Sequence, residues 1–171
     1  DPNPLADYTL DQMYAFLSGY HLTRAPGSTI EYSNYGFALL GNLLVRRAGE
    51  ENYEALLLDR ITRPLGMDST RIELTSEMRS RLAPPYASYY VPSSSFDYPV
   101  FYPAGGIRST VSEMLKFLAA NMGLTETELQ PALQLANTPQ RPSFGIGLGW
   151  WVVESEKVHL HGGNSPGYTT F

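Results

Sequence analysis

Two short constellations carry side chains able to do acyl or proton chemistry. Tyr32-Ser33-Asn34 stands just before a predicted helix, and His161-Gly162-Gly163 closes a predicted strand. A tyrosine beside a basic partner acts as a general base once its pKa is lowered. An asparagine two residues on offers its amide to a substrate carbonyl or amide. A His-Gly-Gly segment lets the backbone approach a ligand closely, because glycine has no Cβ. Each also has a plainer reading. Tyr32 would be a packed core residue, Asn34 a local cap, and His161 hydrogen-bonded structure.

Other matches weigh less. Gly163-Asn164-Ser165-Pro166-Gly167 fits Gly-x-Ser-x-Gly literally. A nucleophile elbow needs a strand, a sharp turn and a helix, and the residue after the serine donates its N–H to the oxyanion. Pro166 has no N–H to donate, so the match reads as coincidence in a glycine-rich turn. His159 and His161 share one strand face, but His21 is the only other histidine. A catalytic zinc site usually takes three protein ligands, and neither a metal nor a cofactor is expected. The chain has no cysteine, which excludes disulfides, thiolate catalysis and cysteine-ligated zinc.

These segments need elements to hold them. Thr9-Leu10-Asp11-Gln12 is a capping box opening a helix to about Ser18, with Leu10, Met13, Tyr14 and Leu17 at helical offsets. After Asn34, residues Phe37, Leu40, Gly41, Leu44, Val45 and Ala48 form one apolar stripe, ended by Gly49. A helix from about Asn52 to Thr62 is buried through Leu56, Leu57 and Ile61. From Pro84 to Pro103 the prolines recur too often for a helix. Tyr86, Tyr89, Tyr90, Phe96, Tyr98, Phe101 and Tyr102 fill that stretch, which either walls a cleft or packs as a surface loop. Thr110-Val111-Ser112-Glu113 is a second capping box, with Met114, Leu115, Leu118 and Ala119 expected inward. A weaker helix covers Glu126 to Ala136, blurred by Pro131. Trp150 to Val153 and Val158 to His161 read as a strand pair, and Tyr168 to Phe171 as a further strand.

Composition narrows the partners. The 171 residues carry 12 Lys+Arg against 17 Asp+Glu, a net charge of −5 that disfavours nucleic acid. Hydrophobic residues at 43% and aromatics at 12% oppose disorder. No apolar run approaches the roughly 20 residues of a membrane span. The polar start Asp1-Pro2-Asn3-Pro4 does not read as a signal peptide.

Taken together, five segments resemble the serine β-lactamase and penicillin-binding-protein family, in its class C β-lactamase, D-alanyl-D-alanine peptidase and esterase branch. Pro26 to Phe37, with Tyr32-Ser33-Asn34, is similar to the second motif, Tyr-x-Asn, and its following helix. Pro64-Leu65-Gly66-Met67-Asp68-Ser69-Thr70 is similar to the Pro-Leu-Gly-Met-x-x-Thr turn. Pro103-Ala104-Gly105-Gly106 resembles another recurrent segment. Gly147-Leu148-Gly149-Trp150 and His161 to Gly167 look like the strand pair carrying the third motif, His-x-Gly. All five occur in family order.

The resemblance implies an α+β fold: the helical subdomain of a β-lactamase-like fold plus a few antiparallel strands at the C-terminal end. Residues 1–140 would be the mostly helical part with the Tyr-x-Asn motif and the Tyr/Pro-rich loop. Residues 141–171 would be the strands with His-x-Gly, and both would belong to one larger domain. It further implies Tyr32 as general base or acid, Asn34 on the substrate's amide side, and His161 lining the substrate's acidic end where many relatives have lysine. Gly162, Gly163 and Asn164 would bind substrate, with the Asn164 N–H as an oxyanion donor. Substrates would be a β-lactam, a D-alanyl peptide or an ester, and the compartment bacterial periplasm or the outside of the cell. One family feature is missing. The nucleophile sits in Ser-x-x-Lys, and the two lysines here, Lys116 and Lys157, follow Glu113 and Glu154 by three residues. The chain is therefore expected to be an internal piece, inactive alone, that could pair with a chain supplying the missing segments. The alternative is a non-catalytic module that binds peptides or a partner through the same cleft.

Overall fold

The computed structural model describes residues 5–95, 97–141 and 144–170. Phe96, Phe171 and the segment Asp1-Pro2-Asn3-Pro4 lie outside the described residues. The fold is mixed, as expected. Its helices are α1 (Leu10–Gly19), α2 (Asn34–Ala48), α3 (Tyr53–Leu57), α4 (Ser76–Ser80), α5 (Tyr102–Gly105), α6 (Val111–Asn121) and α7 (Gln130–Asn137). Strands β1 (Trp151–Val153) and β2 (Val158–Leu160) form one antiparallel sheet, and β3 (Gly163–Ser165) and β4 (Tyr168–Thr170) another. The chain divides into two compact units, Asp1–Leu56 with Phe96–Ile107, and Leu57–Ser95 with Arg108–Phe171.

The first unit is built on α1 and α2. The capping box at Thr9 closes in both directions: Gln12 N–H reaches the Thr9 hydroxyl at 3.2 Å, and Thr9 N–H reaches Gln12 Oε1 at 2.8 Å. Met13 and Ala38, both 0% exposed, meet Val100, with Leu17, Tyr35, Leu39 and Phe101 around them. Of the stripe expected to bury α2, Gly41 is buried, but Leu40 stays 51% exposed and Leu44 48%. Instead α2 packs through its small residues. A Cβ on Gly41 would lie 2.2 Å from the Pro103 Cβ, so only glycine admits that approach. Asn42 braces the contact, its amide donating to the Ala38 and Val100 carbonyls at 2.8 and 2.9 Å.

The proline-rich stretch also departs from expectation. Pro99–Phe101 makes a 3₁₀ turn that leads into α5. Prolines are tolerated there because they occupy the first turn, where an N–H has no helical acceptor. The stretch divides between core and surface. Val100 and Phe101 enter the core of the first unit, while Tyr89 and Tyr90 are exposed in the second. Pro131 behaves likewise: it stands in the first turn of α7, so that helix begins at Gln130.

Helix α3 is followed in the sequence by a π-helical turn, Leu58–Thr62, and the two together are close to the predicted span. Helix α6 turns the other way from expectation: Met114, Leu115 and Leu118 are exposed, and Glu113 and Ala120 are buried. The reason is Glu113. Thr110 caps its N–H, but its carboxylate does not return to the cap. It accepts from Ser69 N–H at 2.8 Å and the Thr70 hydroxyl at 2.6 Å. Burial of a carboxylate requires such partners, and satisfying them fixes which face of α6 points inward. Phe117 follows, stacked on Trp150 at 6.2 Å and 18°.

Candidate active site

Tyr32 and Asn34 are set by the start of α2. Ser33 is the N-cap, its hydroxyl accepting from Gly36 N–H at 3.0 Å. Asn34 is therefore the first helical residue and not the cap. Its Oδ1 accepts from the Tyr32 hydroxyl at 2.9 Å. Tyr32 is 62% exposed and lies 6.3 Å from the Phe37 ring, so it is no core residue. One residue on, Tyr35 is the contrary case. Burial, with a hydrogen bond shared with Tyr8, pushes its pKa up to about 12, and its hydroxyl donates to the Met13 carbonyl at 2.6 Å. Tyr35 is a structural phenol, and Tyr32 the available one.

The second constellation lies in the other unit. β1 and β2 pair with Trp151 opposite Leu160 and Val152 opposite His159. His161 follows the last paired residue of β2, exposed, and among the described residues it has no hydrogen-bond partner. Gly163-Asn164-Ser165 forms a strand where a break in regular structure was expected. Ser165 pairs with Tyr168 and Asn164 with Thr169 across the Pro166-Gly167 turn, with Gly167 at φ 83°. Proline then glycine with positive φ suits a type II turn. Residues flanking a two-residue turn exchange ladder bonds, and the next pair does not. Register therefore leaves the N–H of Asn164 directed away from β4, free to donate elsewhere.

The serines show little sign of activation. Ser165 is followed by a turn and a strand, without the helix of a nucleophile elbow. Ser112 shares a face of α6 with Lys116, but the Lys116 ammonium is engaged by the Gly66 carbonyl. Sequence reasoning missed Glu113, whose Thr-x-x-Glu spacing pointed to a cap. It also missed Ser93 and Thr169, which join Asn164 only through loop packing and strand register.

All 171 residues match the model of the Beta-lactamase family, and the chain belongs to that family. It is 39% identical over 74 residues to the D-alanyl-D-alanine-carboxypeptidase/endopeptidase AmpH of Escherichia coli K12, 43% of this chain and 19% of that protein. It is 26% identical over 183 residues to a beta-lactamase of Yersinia enterocolitica, 95% of this chain and 45% of that protein. The crystal structure of a class C beta lactamase from Rhodobacter sphaeroides shares the fold, with TM-score 0.74 and 23% identity over 86% of this chain and 44% of that one. The chain thus spans less than half the length of these relatives.

Proposed function

We propose that this chain is the Tyr-x-Asn and His-x-Gly portion of a serine hydrolase domain whose serine is acylated by a β-lactam, a D-alanyl peptide or a small ester, the acyl-enzyme then being hydrolysed. One observation carries the reading: in a chain matching the beta-lactamase family over its whole length, Tyr32 is exposed at a helix start and bonded to Asn34 at 2.9 Å. In the reaction the serine oxygen bonds to the substrate carbonyl carbon as its proton passes to the Tyr32 oxygen, and the proton that Tyr32 held passes to the leaving group as its bond breaks. Asn34 holds the amide side of the substrate, and His161 lines its acidic end. The Asn164 N–H stabilises the oxyanion, a contribution of about 2.7–4 kcal/mol for one such donor.

The serine belongs to a segment outside these 171 residues, since no Ser-x-x-Lys occurs here. Residues 1–140 and 141–171 would be parts of one larger domain, completed by that segment in the same polypeptide or by a partner chain. The exposed α2 stripe, Phe37, Leu40, Leu43 and Leu44, supports a further covering layer. Alone, the chain should give no covalent adduct by intact mass after incubation with a penicillin or a fluorophosphonate. A serine-linked adduct would overturn that and point to Ser165 or Ser112. In the full-length polypeptide, Tyr32→Phe should slow acylation by about 10²–10⁴-fold, the usual weight of a general base. Unchanged acylation rejects the role of Tyr32. The absence of Ser-x-x-Lys favours one second reading, a non-catalytic module keeping the cleft; a full-length polypeptide also lacking that motif would decide for it.

A further inference from the structure

The segment from Pro85 to Ser93 folds over the β3–β4 hairpin. Tyr86 N–H donates to the Gly167 carbonyl at 3.1 Å, and the Tyr168 hydroxyl to the Ala83 carbonyl at 2.7 Å. Between them lies an open depression of about 510 Å³ that includes Tyr86, Ser93, Asn164, Ser165, Tyr168 and Thr169. That volume falls within the roughly 300–1,000 Å³ of small-molecule sites. No residue lining it is charged. The side chains of Asn164, Ser165 and Thr169 have no hydrogen-bond partner among the described residues.

The loop that follows Tyr86 is tightly closed. Ala87 N–H donates to the Val91 carbonyl at 2.7 Å, closing a tight loop with Tyr89 and Tyr90 at its tip. Both tyrosines have left-handed backbones, φ 60° and 61°, which bulky residues seldom adopt. These two residues stand 95% and 86% exposed, and the Tyr90 ring meets the lining ring of Tyr86 edge-on at 6.3 Å. Strain of this kind persists where surroundings hold it, and it concentrates at binding sites.

We propose that this depression binds a neutral pyranose ring, its C–H face on the Tyr86–Tyr90 pair and its hydroxyls on Ser93, Asn164, Ser165 and Thr169. A charged ligand would lose water without gaining a counter-charge. An apolar one would cover hydroxyl and amide groups and leave them unpaired. A sugar offers an apolar face and a ring of hydroxyls together, and so matches both kinds of lining. The depression shares Asn164 with the proposed acyl site, but the sugar is held by side chains and not by Tyr32, so the proposal stands even if Tyr32 has no catalytic role.

The test is an amide-resolved NMR titration of the full chain with tri-N-acetylchitotriose, beside methyl phenylacetate as a hydroxyl-free aromatic probe. The sugar should give saturable shifts at Asn164, Ser165, Thr169 and Tyr86, with a millimolar dissociation constant. Tyr90→Gly tolerates the left-handed backbone and deletes an exposed ring, so folding is not at stake; it should weaken binding about tenfold. Tyr90→Phe keeps the ring and should stay within about twofold. The proposal is overturned by no saturable shift with the sugar, by unaltered binding in Tyr90→Gly, or by methyl phenylacetate producing the same shifts.

Discussion

The two constellations, one in each compact unit, are held by opposite means. Tyr32 and Asn34 sit at the end of a 15-residue helix that is clamped from the side through Gly41 and Asn42. Asn164 sits in a three-residue strand whose every residue is at least partly exposed, and its direction is set by the Pro166-Gly167 turn. The first is positioned by core packing, a non-local property. The second is positioned by turn chemistry, which is local. A group held by a core should resist perturbation until the whole unit fails, while a group held by a turn should respond to one residue with little effect on the rest.

The largest expected effect tests the packed half. Gly41→Leu forces a side chain where the Pro103 Cβ and Cγ lie 2.2 and 2.4 Å from an added Cβ. Overpacking of this kind should cost about 3 kcal/mol in a denaturant melt. Amide signals of Tyr32 and Asn34 should shift while those of Asn164 and Thr169 stay. Unaltered stability would show that α5 does not rest on α2. Next comes Glu113→Ala, which leaves the Ser69 N–H without its acceptor and the buried Thr70 hydroxyl with Ser109 alone. A loss of about 2 kcal/mol is expected. A neutral result would mean that water replaces the carboxylate and that the facing of α6 has another cause.

The same contrast explains what the sequence disclosed. The capping box at Thr9, the β1–β2 pair and the family motifs were legible because each depends on neighbours a few residues apart. The inward faces of α2 and α6 were not. Hydrophobic periodicity marks the apolar stripe, but Ala38 and Gly41 form the contact on α2, and a charged residue, Glu113, leads it on α6. Small residues and a buried carboxylate carry no hydrophobic signal. Pro99, Pro103 and Pro131 misled for a related reason: the same residue breaks a helix in its middle and begins one at its start. At the site, Tyr32, Asn34 and Asn164 were legible as motif residues, whereas Ser93 and Thr169 lie far apart in the chain and share no pattern.

A smaller effect tests the turn-held half. Gly167→Ala places a Cβ on a residue at φ 83°, 2.3 Å from the Pro85 Cβ. The cost should be about 1–2 kcal/mol. It should appear as faster hydrogen exchange at Asn164, Ser165 and Tyr168, with the melt of the first unit unmoved. Loss of cooperativity across the chain would contradict the local account.

An effect of similar size at neutral pH is the most selective for the packed half. Tyr35 ionises near 12 when folded, against 10.0 for its ordinary value, because burial and the Tyr8 hydrogen bond favour the neutral phenol. Burial raises Tyr53 in the same direction. Between those two values the unfolded chain has released the Tyr35 proton and the folded chain still holds it. The unfolded state then binds fewer protons, so stability falls as pH rises. The contribution is complete below pH 10 and gone once the pH passes about 12. Tyr35→Phe cannot release that proton in either state, so its stability curve should be flatter than that of the parent across this window. Tyr53 leaves a residual slope. At pH 7 the variant loses the bonds to the Met13 carbonyl and to Tyr8, about 1–2 kcal/mol. Parallel curves for parent and variant from pH 9 to 12 would show that Tyr35 is not held neutral by its packing. In that case Tyr32 would lose its contrast as the available phenol, because the distinction depends on one tyrosine of the pair being committed to the core.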